Sequence, residues 1–395
     1  MSKKAAIASR IFNVCASYGF AVVILAFLLV LTLFGTLEQA DYGLYAVQKK
    51  YFDSLFLVHS LFGVVPIPLP GVYLLLTLLS INLVCGAIIR APKYWRYPGM
   101  LIAHCGILLL LAGGFVNFHF ATYGSLQLYE KEASNRFHSY HDWVVEIRQT
   151  KPKLSQSVFE IPPKDLTACR NARTFRSGQL PFEIELSGYA PNCTPRPSDN
   201  SPAVTAVDGF YLQSLPLDKT AEMNIPGVYA DVRDGSGDIQ QGILWGLERA
   251  PLVIRSAESE WAISIQRQSM PLPFTVVLDD FTVEHYPNTK IPHVFRSEIT
   301  KVEGRTNEKI KISMNKPLRH RGYTVFQASW GPENAPPGTR LFSGFAIVRN
   351  PADHWPLYAC IVVGLGIGIH FIQKLLVYLS SAHSSTRRNA GKAGT

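Results

Sequence analysis

Charge is scarce in this sequence. Only 17% of its 395 residues are charged, against 47% hydrophobic, a balance too apolar for an ordinary soluble protein. Common catalytic signatures are missing too. The chain has no GxSxG turn, no HExxH motif and no glycine-rich phosphate loop, which removes the usual hydrolase, metalloprotease and nucleotide-binding readings. It has no CxxC pair, which argues against a thioredoxin-like dithiol centre. Cys15 lacks a lipobox and no A-x-A site follows the first apolar run, so that run reads as an uncleaved anchor.

What is present is a set of long apolar runs, at 14–34, 69–89, 98–118 and 355–378. Each has the roughly 20 residues needed to cross about 30 Å of hydrocarbon as a helix. Acidic residues are absent from one set of flanks. Lys3, Lys4 and Arg10 precede the first run, Arg90, Lys93 and Arg96 separate the second from the third, and Lys374 stands near the end of the last, with Arg387, Arg388 and Lys392 after it. The segment 119–354 carries 26 basic and 26 acidic residues, so the net charge of +9 lies on one face. This is the positive-inside pattern, with both termini cytoplasmic and the large segment outside. Nucleic acid is excluded as a partner, because the external segment is balanced.

From Ser125 onward the pattern changes. Stretches such as SLQLYEK, DWVVEIRQ, PFEIELSGY, WAISIQRQ and YTVFQASW alternate apolar and polar residues between Gly, Pro, Asn and Asp, the signature of strands with one buried face. The fold class expected is a membrane protein with four transmembrane helices, three before and one after a large extracytoplasmic all-β domain. Its boundaries are a cytoplasmic tail 1–13, span one 14–34, an external loop 35–68 with an interfacial aromatic helix, span two 69–89, a cytoplasmic loop 90–97, span three 98–118, the β-rich domain 119–354, span four 355–378 and a tail 379–395. Residues 151–180 and 191–203 read as loops. The short 90–97 connection makes spans two and three an antiparallel hairpin, with Gly86-Ala87 and Gly113-Gly114 as its close-approach pairs and Asn82 and His104 as its polar groups. The prolines at 66, 68 and 70 suggest a re-entry into span two, with His59 decorating the interface.

An ionisable side chain inside hydrocarbon is costly and is by default a functional candidate. His104 lies about 9 Å into span three, and His370 about 21 Å down span four, at comparable depth. Imidazole ligates haem iron, and a cavity between helices accepts the macrocycle, so the two could form a bis-histidine site within this chain; hydrogen bonding to neighbouring helices is the alternative. His119 and His354, at the outer ends of spans three and four, form a weaker pair. Cys169 and Cys193 are the cysteines of the external domain, either joined as a disulfide or free.

Several stretches carry a resemblance: GTLEQADYGLYAVQKKYFDSLF, PLPGVYLLLTLLSINLVCG, GMLIAHCGILLLLAGG, LDDFTVEHYPNTKIPHVFRSEI, ISMNKPLRHRGYTVFQASW and VRNPADHWPLYACIVVGLGIGIHF. Together they resemble the ResB (CcsB) proteins of the System II cytochrome c maturation pathway; residues 150–270 match nothing nameable. The resemblance implies three spans, an external β-domain and a last span. It implies a ResC (CcsA) partner, transport of haem b across the membrane, and its covalent attachment to apocytochrome c, with a membrane-anchored thioredoxin-like protein nearby. This subunit would be a non-catalytic part of the cytochrome c synthase, in a bacterial inner membrane rather than a thylakoid. The family's span-three histidine, a haem ligand, matches His104, and the second ligand is attributed to the partner. No tryptophan-rich haem motif of the partner kind occurs here. The alternatives are a cytochrome b-like electron carrier and a cofactor-free assembly scaffold.

Overall fold

The computed structural model describes residues 3–61, 64–90, 98–151, 158–198, 206–234, 237–256, 259–287, 289, 292–332, 336 and 339–392. They form two units, a helical one from Met1–Ala121 with Asn350–Thr395, and a β-unit from Thr122–Arg349.

Among the described residues, four helices of the helical unit are long and apolar enough to cross a membrane, Tyr18–Tyr42, Val72–Ile89, Pro98–Phe120 and Trp355–Ser381. The first begins later than expected. A separate helix runs Lys3–Cys15, where a cytoplasmic tail was anticipated. The chain then breaks, and the Ser17 side chain caps the new helix by accepting from the Phe20 N–H at 3.2 Å, which satisfies one of its orphan donors. The break frees carbonyls inside an apolar segment, where unsatisfied polar groups are costly. Asn82 of span two answers it, donating from Nδ2 to the carbonyls of Cys15 at 2.6 Å and Ser17 at 3.1 Å. Directly after Asn82 the second span loosens into a π-helical stretch, Leu83–Ile89.

Span one ends at Gly43, whose φ of 80° suits glycine. A turn of helix, Leu44–Val47, runs into a π-helical turn, Gln48–Phe52. Tyr51, expected on an interfacial aromatic face, is instead fully buried. The next segment is a correction: it is a β-hairpin, Phe56–Leu61 with Val65–Pro70, rather than a helix with a re-entrant stretch. Pro66, Pro68 and Pro70 occupy alternate positions. All three therefore direct their missing N–H to the open edge, where no ladder bond is lost.

The expected hairpin of spans two and three is present, with the Tyr73 hydroxyl on His119 at 3.0 Å, but the closest approach of span three is to another helix. Span three lays Gly99, Gly106 and Gly113, seven residues apart, against the last span. A Cβ on Gly99 would come within 2.5 Å of the Gly366 carbonyl oxygen and the His370 nitrogen; one on Gly106 would meet Val363 at 2.7 Å, and one on Gly113 Trp355 at 3.2 Å. Small residues let backbones approach where no hydrophobic driving force exists between helices in lipid. Gly114 touches nothing within 4 Å, and Gly86 faces Ala16, so neither expected small pair works as a span two–span three contact.

In the β-unit, a ten-stranded antiparallel sheet contains, in order, Thr306–Ser313, Pro292–Glu303, Ser259–His285, Ala133–Lys151, Thr122–Tyr129, Phe342–Arg349, Tyr323–Gly331 and Leu318–His320, with two short strands beside this path. A four-stranded sheet includes Phe182–Ala190 and Gly227–Asp234. Two cores result. The long strand Ser259–His285 feeds one with Trp261, Ile263 and Ile265 and the other with Leu272, Phe274, Val276 and Leu278. The switch from odd to even positions follows register shifts along its pairing with Ala133–Lys151, since a slip of one residue exchanges the faces of a strand. The 151–180 stretch is not all loop. It holds a strand at Val158–Ile161, a helical turn at Pro163–Thr167 and a strand at Arg173–Phe175. Cys193–Pro197 pairs with Phe210–Ser214; residues 152–157 and 199–205 lie outside those described.

Candidate functional site

Span three starts at Pro98, which fits the first helical turn because its missing N–H has no intrahelical partner there. One and a half turns in, His104 is half-buried, and its Nδ1 lies 2.7 Å from the Met100 carbonyl oxygen. A carbonyl only accepts, so Nδ1 carries the proton and Nε2 keeps its lone pair. This is the tautomer that ligates a metal through Nε2, with the other nitrogen anchored to backbone.

His370 sits where the last span crosses Gly99. His104 is five residues beyond Gly99, about 140° around the helix at 100° per residue. The glycine stripe faces the last span, so His104 lies off that stripe. At the other end of span three, His119 Nε2 meets the Tyr73 hydroxyl at 3.0 Å and packs among Phe115 and Phe118. His354 is exposed and its Nε2 lies 3.9 Å from Asp353. The two therefore have different partners.

A polar cluster that the sequence reading missed lies at the end of span one. Lys50 Nζ donates to both oxygens of Glu38, at 3.0 and 2.8 Å. His59 Nδ1 is 2.6 Å from the Tyr51 hydroxyl and 3.1 Å from Glu38 Oε1. The His59 ring stacks on Phe34 at 4.2 Å and 5°. With 8% of its surface exposed, His59 is buried, not interfacial decoration. Burial, reinforced by a hydrogen bond to Glu38, pushes the Tyr51 hydroxyl above the ordinary phenol range, so it stays protonated. The signal available was Glu38, an acid closing an apolar run, with His59 in an apolar stretch nearby.

In the β-unit, Cys169 and Cys193 are both free and buried, not joined. Cys169 Sγ donates to the Asp165 carbonyl, and Cys193 lies where a Cβ on Gly227 would fall. Burial raises both thiols, Cys193 to about 11. Of the basic aromatic stretch before span three, Arg90 is exposed; Lys93, Tyr94, Trp95, Arg96 and Tyr97 lie outside the described residues.

The profile of the ResB-like family matches residues 93–337, from the approach to span three through most of the β-unit. This chain belongs to the ResB-like family. The match to the ResB-like profile includes His104 and leaves out Glu38, Tyr51, His59 and His370. The chain is also similar to Protein NrfI of Wolinella succinogenes, with 21% identity over 334 residues, which is 79% of this chain and 31% of that protein. This ResB-like chain thus spans about a third of the length of the curated relative it matches.

Proposed function

We propose that this ResB-like protein works in cytochrome c biogenesis, as the membrane subunit that receives haem b and passes it outward for attachment to apocytochrome c. Family membership supports the biogenesis setting, and the Nδ1-protonated His104, half-buried on a membrane-crossing helix, supports the haem role. The donor fits the cargo, because a neutral imidazole with a free Nε2 is an axial ligand for haem iron. His104 holds the iron, the Met100 carbonyl fixes the ring, and the apolar helix excludes water. The second ligand comes from a ResC/CcsA-type partner. Apocytochrome c and a membrane-anchored thioredoxin-like protein complete the apparatus, in a bacterial cytoplasmic membrane with both termini inside. A cytochrome b-like carrier would need two ligands from this chain, so in that reading His370→Ala would remove haem as fully as His104→Ala.

The test is the absorption spectrum of the chain purified with its partner. His104→Ala is expected to remove most of the Soret absorbance, or to convert it to a five-coordinate or water-ligated form, with folding unchanged. An unaltered spectrum overturns the ligand assignment, and absence of haem from the wild-type complex overturns the haem-handling reading.

A further inference from the structure

The helix Lys3–Cys15 buries none of its residues, and it is not a continuation of span one. Ser17 caps span one afresh, and the Asn82 amide takes the carbonyls of Cys15 and Ser17, so the join is a defined break between two helices. The end next to the break is held. Ala16 is buried, and a Cβ on Gly86 of span two would meet its carbonyl oxygen at 3.2 Å. The helix therefore sets out from the end of span two that Arg90 closes.

At 100° per residue, its side chains sort into three arcs. Phe12 and Cys15, both half-buried, fall on the same side as Ala16. Ser9, Asn13, Arg10 and Lys3 fall on a second side. Ile7, Ile11 and Val14 stack at spacings of four and three into a third arc about 60° wide, and they are 58%, 59% and 59% exposed. Water is an unfavourable surround for that stripe. Hydrocarbon is an unfavourable surround for the polar arc, because Arg10 lies well inside the helix and a charge at membrane depth is costly. An axis lying along the membrane surface suits both, with the stripe in the acyl boundary and the polar arc among the headgroups.

The charges say which surface. No acidic residue precedes Glu38, whereas Lys3, Lys4 and Arg10 lie on this helix and Arg90 stands four residues beyond Gly86. On the helical wheel Lys3 and Arg10 border the apolar stripe on one side and Lys4 on the other. That placement lets their stems cover the stripe while the charged heads reach lipid phosphate.

We propose that the helix Lys3–Cys15 is an in-plane anchor that docks on an anionic lipid surface, with Ile7, Ile11 and Val14 in the acyl boundary and Lys3, Lys4 and Arg10 on the headgroup phosphates. The break at Ala16–Ser17, braced by Asn82, turns the chain from lying on the bilayer to crossing it. The proposal is independent of the haem-handling reading, since it asks nothing of the cargo.

The experiment places the full chain in nanodiscs of phosphatidylcholine alone or mixed with phosphatidylglycerol. Amide exchange of residues 3–15 is read by mass spectrometry, with exchange in the spans as the check on folding. Exchange in 3–15 is expected to be at least several-fold slower in the phosphatidylglycerol discs, and added salt to shrink the difference. Lys3→Gln, Lys4→Gln and Arg10→Gln together are expected to abolish it. Ile7→Ser with Ile11→Ser is expected to give fast exchange in both discs. If the serine pair disturbs the spans, the glutamine set, which removes charge alone, decides. Equal exchange of the wild type in the two discs overturns the proposal. So does protection that follows protein concentration, which would assign the stripe to a second copy, or protection that appears only when another membrane protein is added.

Discussion

Asn82 shows how one side chain reconciles a break in the chain with an apolar surround. Its two donations to the carbonyls of Cys15 and Ser17 satisfy the chain break from the neighbouring span. The buried thiols behave as packing groups in the same sense. With its thiol raised to about 11 by burial, Cys193 stays protonated near neutrality. Iodoacetamide is therefore expected to alkylate Cys193 at least tenfold faster in the unfolded chain than in the native one, as read by peptide mass mapping. Paired carboxylates of the ten-stranded sheet behave differently. Hydrogen bonds from Lys311, His320 and Lys301 are the first causes holding Glu298, Glu303 and Glu308 below the ordinary carboxylate range. A depressed folded value means the stabilisation is fully present above the unfolded value of about 4.3 and is lost as pH falls through the folded values. The β-unit is expected to lose thermal stability below that pH, and Glu298→Gln with Glu308→Gln to flatten the loss. A melting profile in which the double variant falls as steeply as wild type contradicts this.

At the scale of elements, the seven-residue glycine stripe makes the sharpest demand. A side chain at Gly99 or Gly106 collides with backbone of the last span, while one at Gly114, Gly364 or Gly368 meets nothing within 4 Å. Overpacking of this kind costs about 1–3 kcal/mol or more. Gly106→Val is expected to lower the melting temperature in detergent by several degrees and Gly114→Ala to leave it nearly unchanged; equal effects would contradict the pairing. Such elements differed in how legible they were. The spans and most strands were readable because period and length are local properties. His104 stood out as a candidate because an ionisable group in an apolar run is conspicuous. The hairpin at Phe56–Pro70 was not, because three prolines read as breakers until their alternate spacing is seen to spare the ladder. The Glu38–Lys50–Tyr51–His59 cluster was not, because its members come from a span, a π-helical turn and a strand, and no single period links them. The packing of span three on the last span was missed for a similar reason: the loop length points to span two, which it does meet, whereas the seven-residue glycine spacing adds the last span.

At the scale of the whole molecule, the β-unit carries two hydrophobic cores of its own. Its first and last strands lie side by side, with Thr122 opposite Arg349. Partners in an antiparallel ladder stand about 5 Å apart, so the unit leaves its host through the same doorway by which it entered. A segment with joined ends is an exchangeable insert, since removing it asks the flanking chain to span only a residue or two. Replacing 122–349 by a short Gly/Ser linker is expected to leave the helical unit folded and, in the proposed role, still able to load haem through His104, as read by the Soret band, while attachment to apocytochrome c is lost. Loss of haem loading in that shortened chain would contradict it. In the proposed role, exchanging the insert would change the recipient while the helical unit is kept.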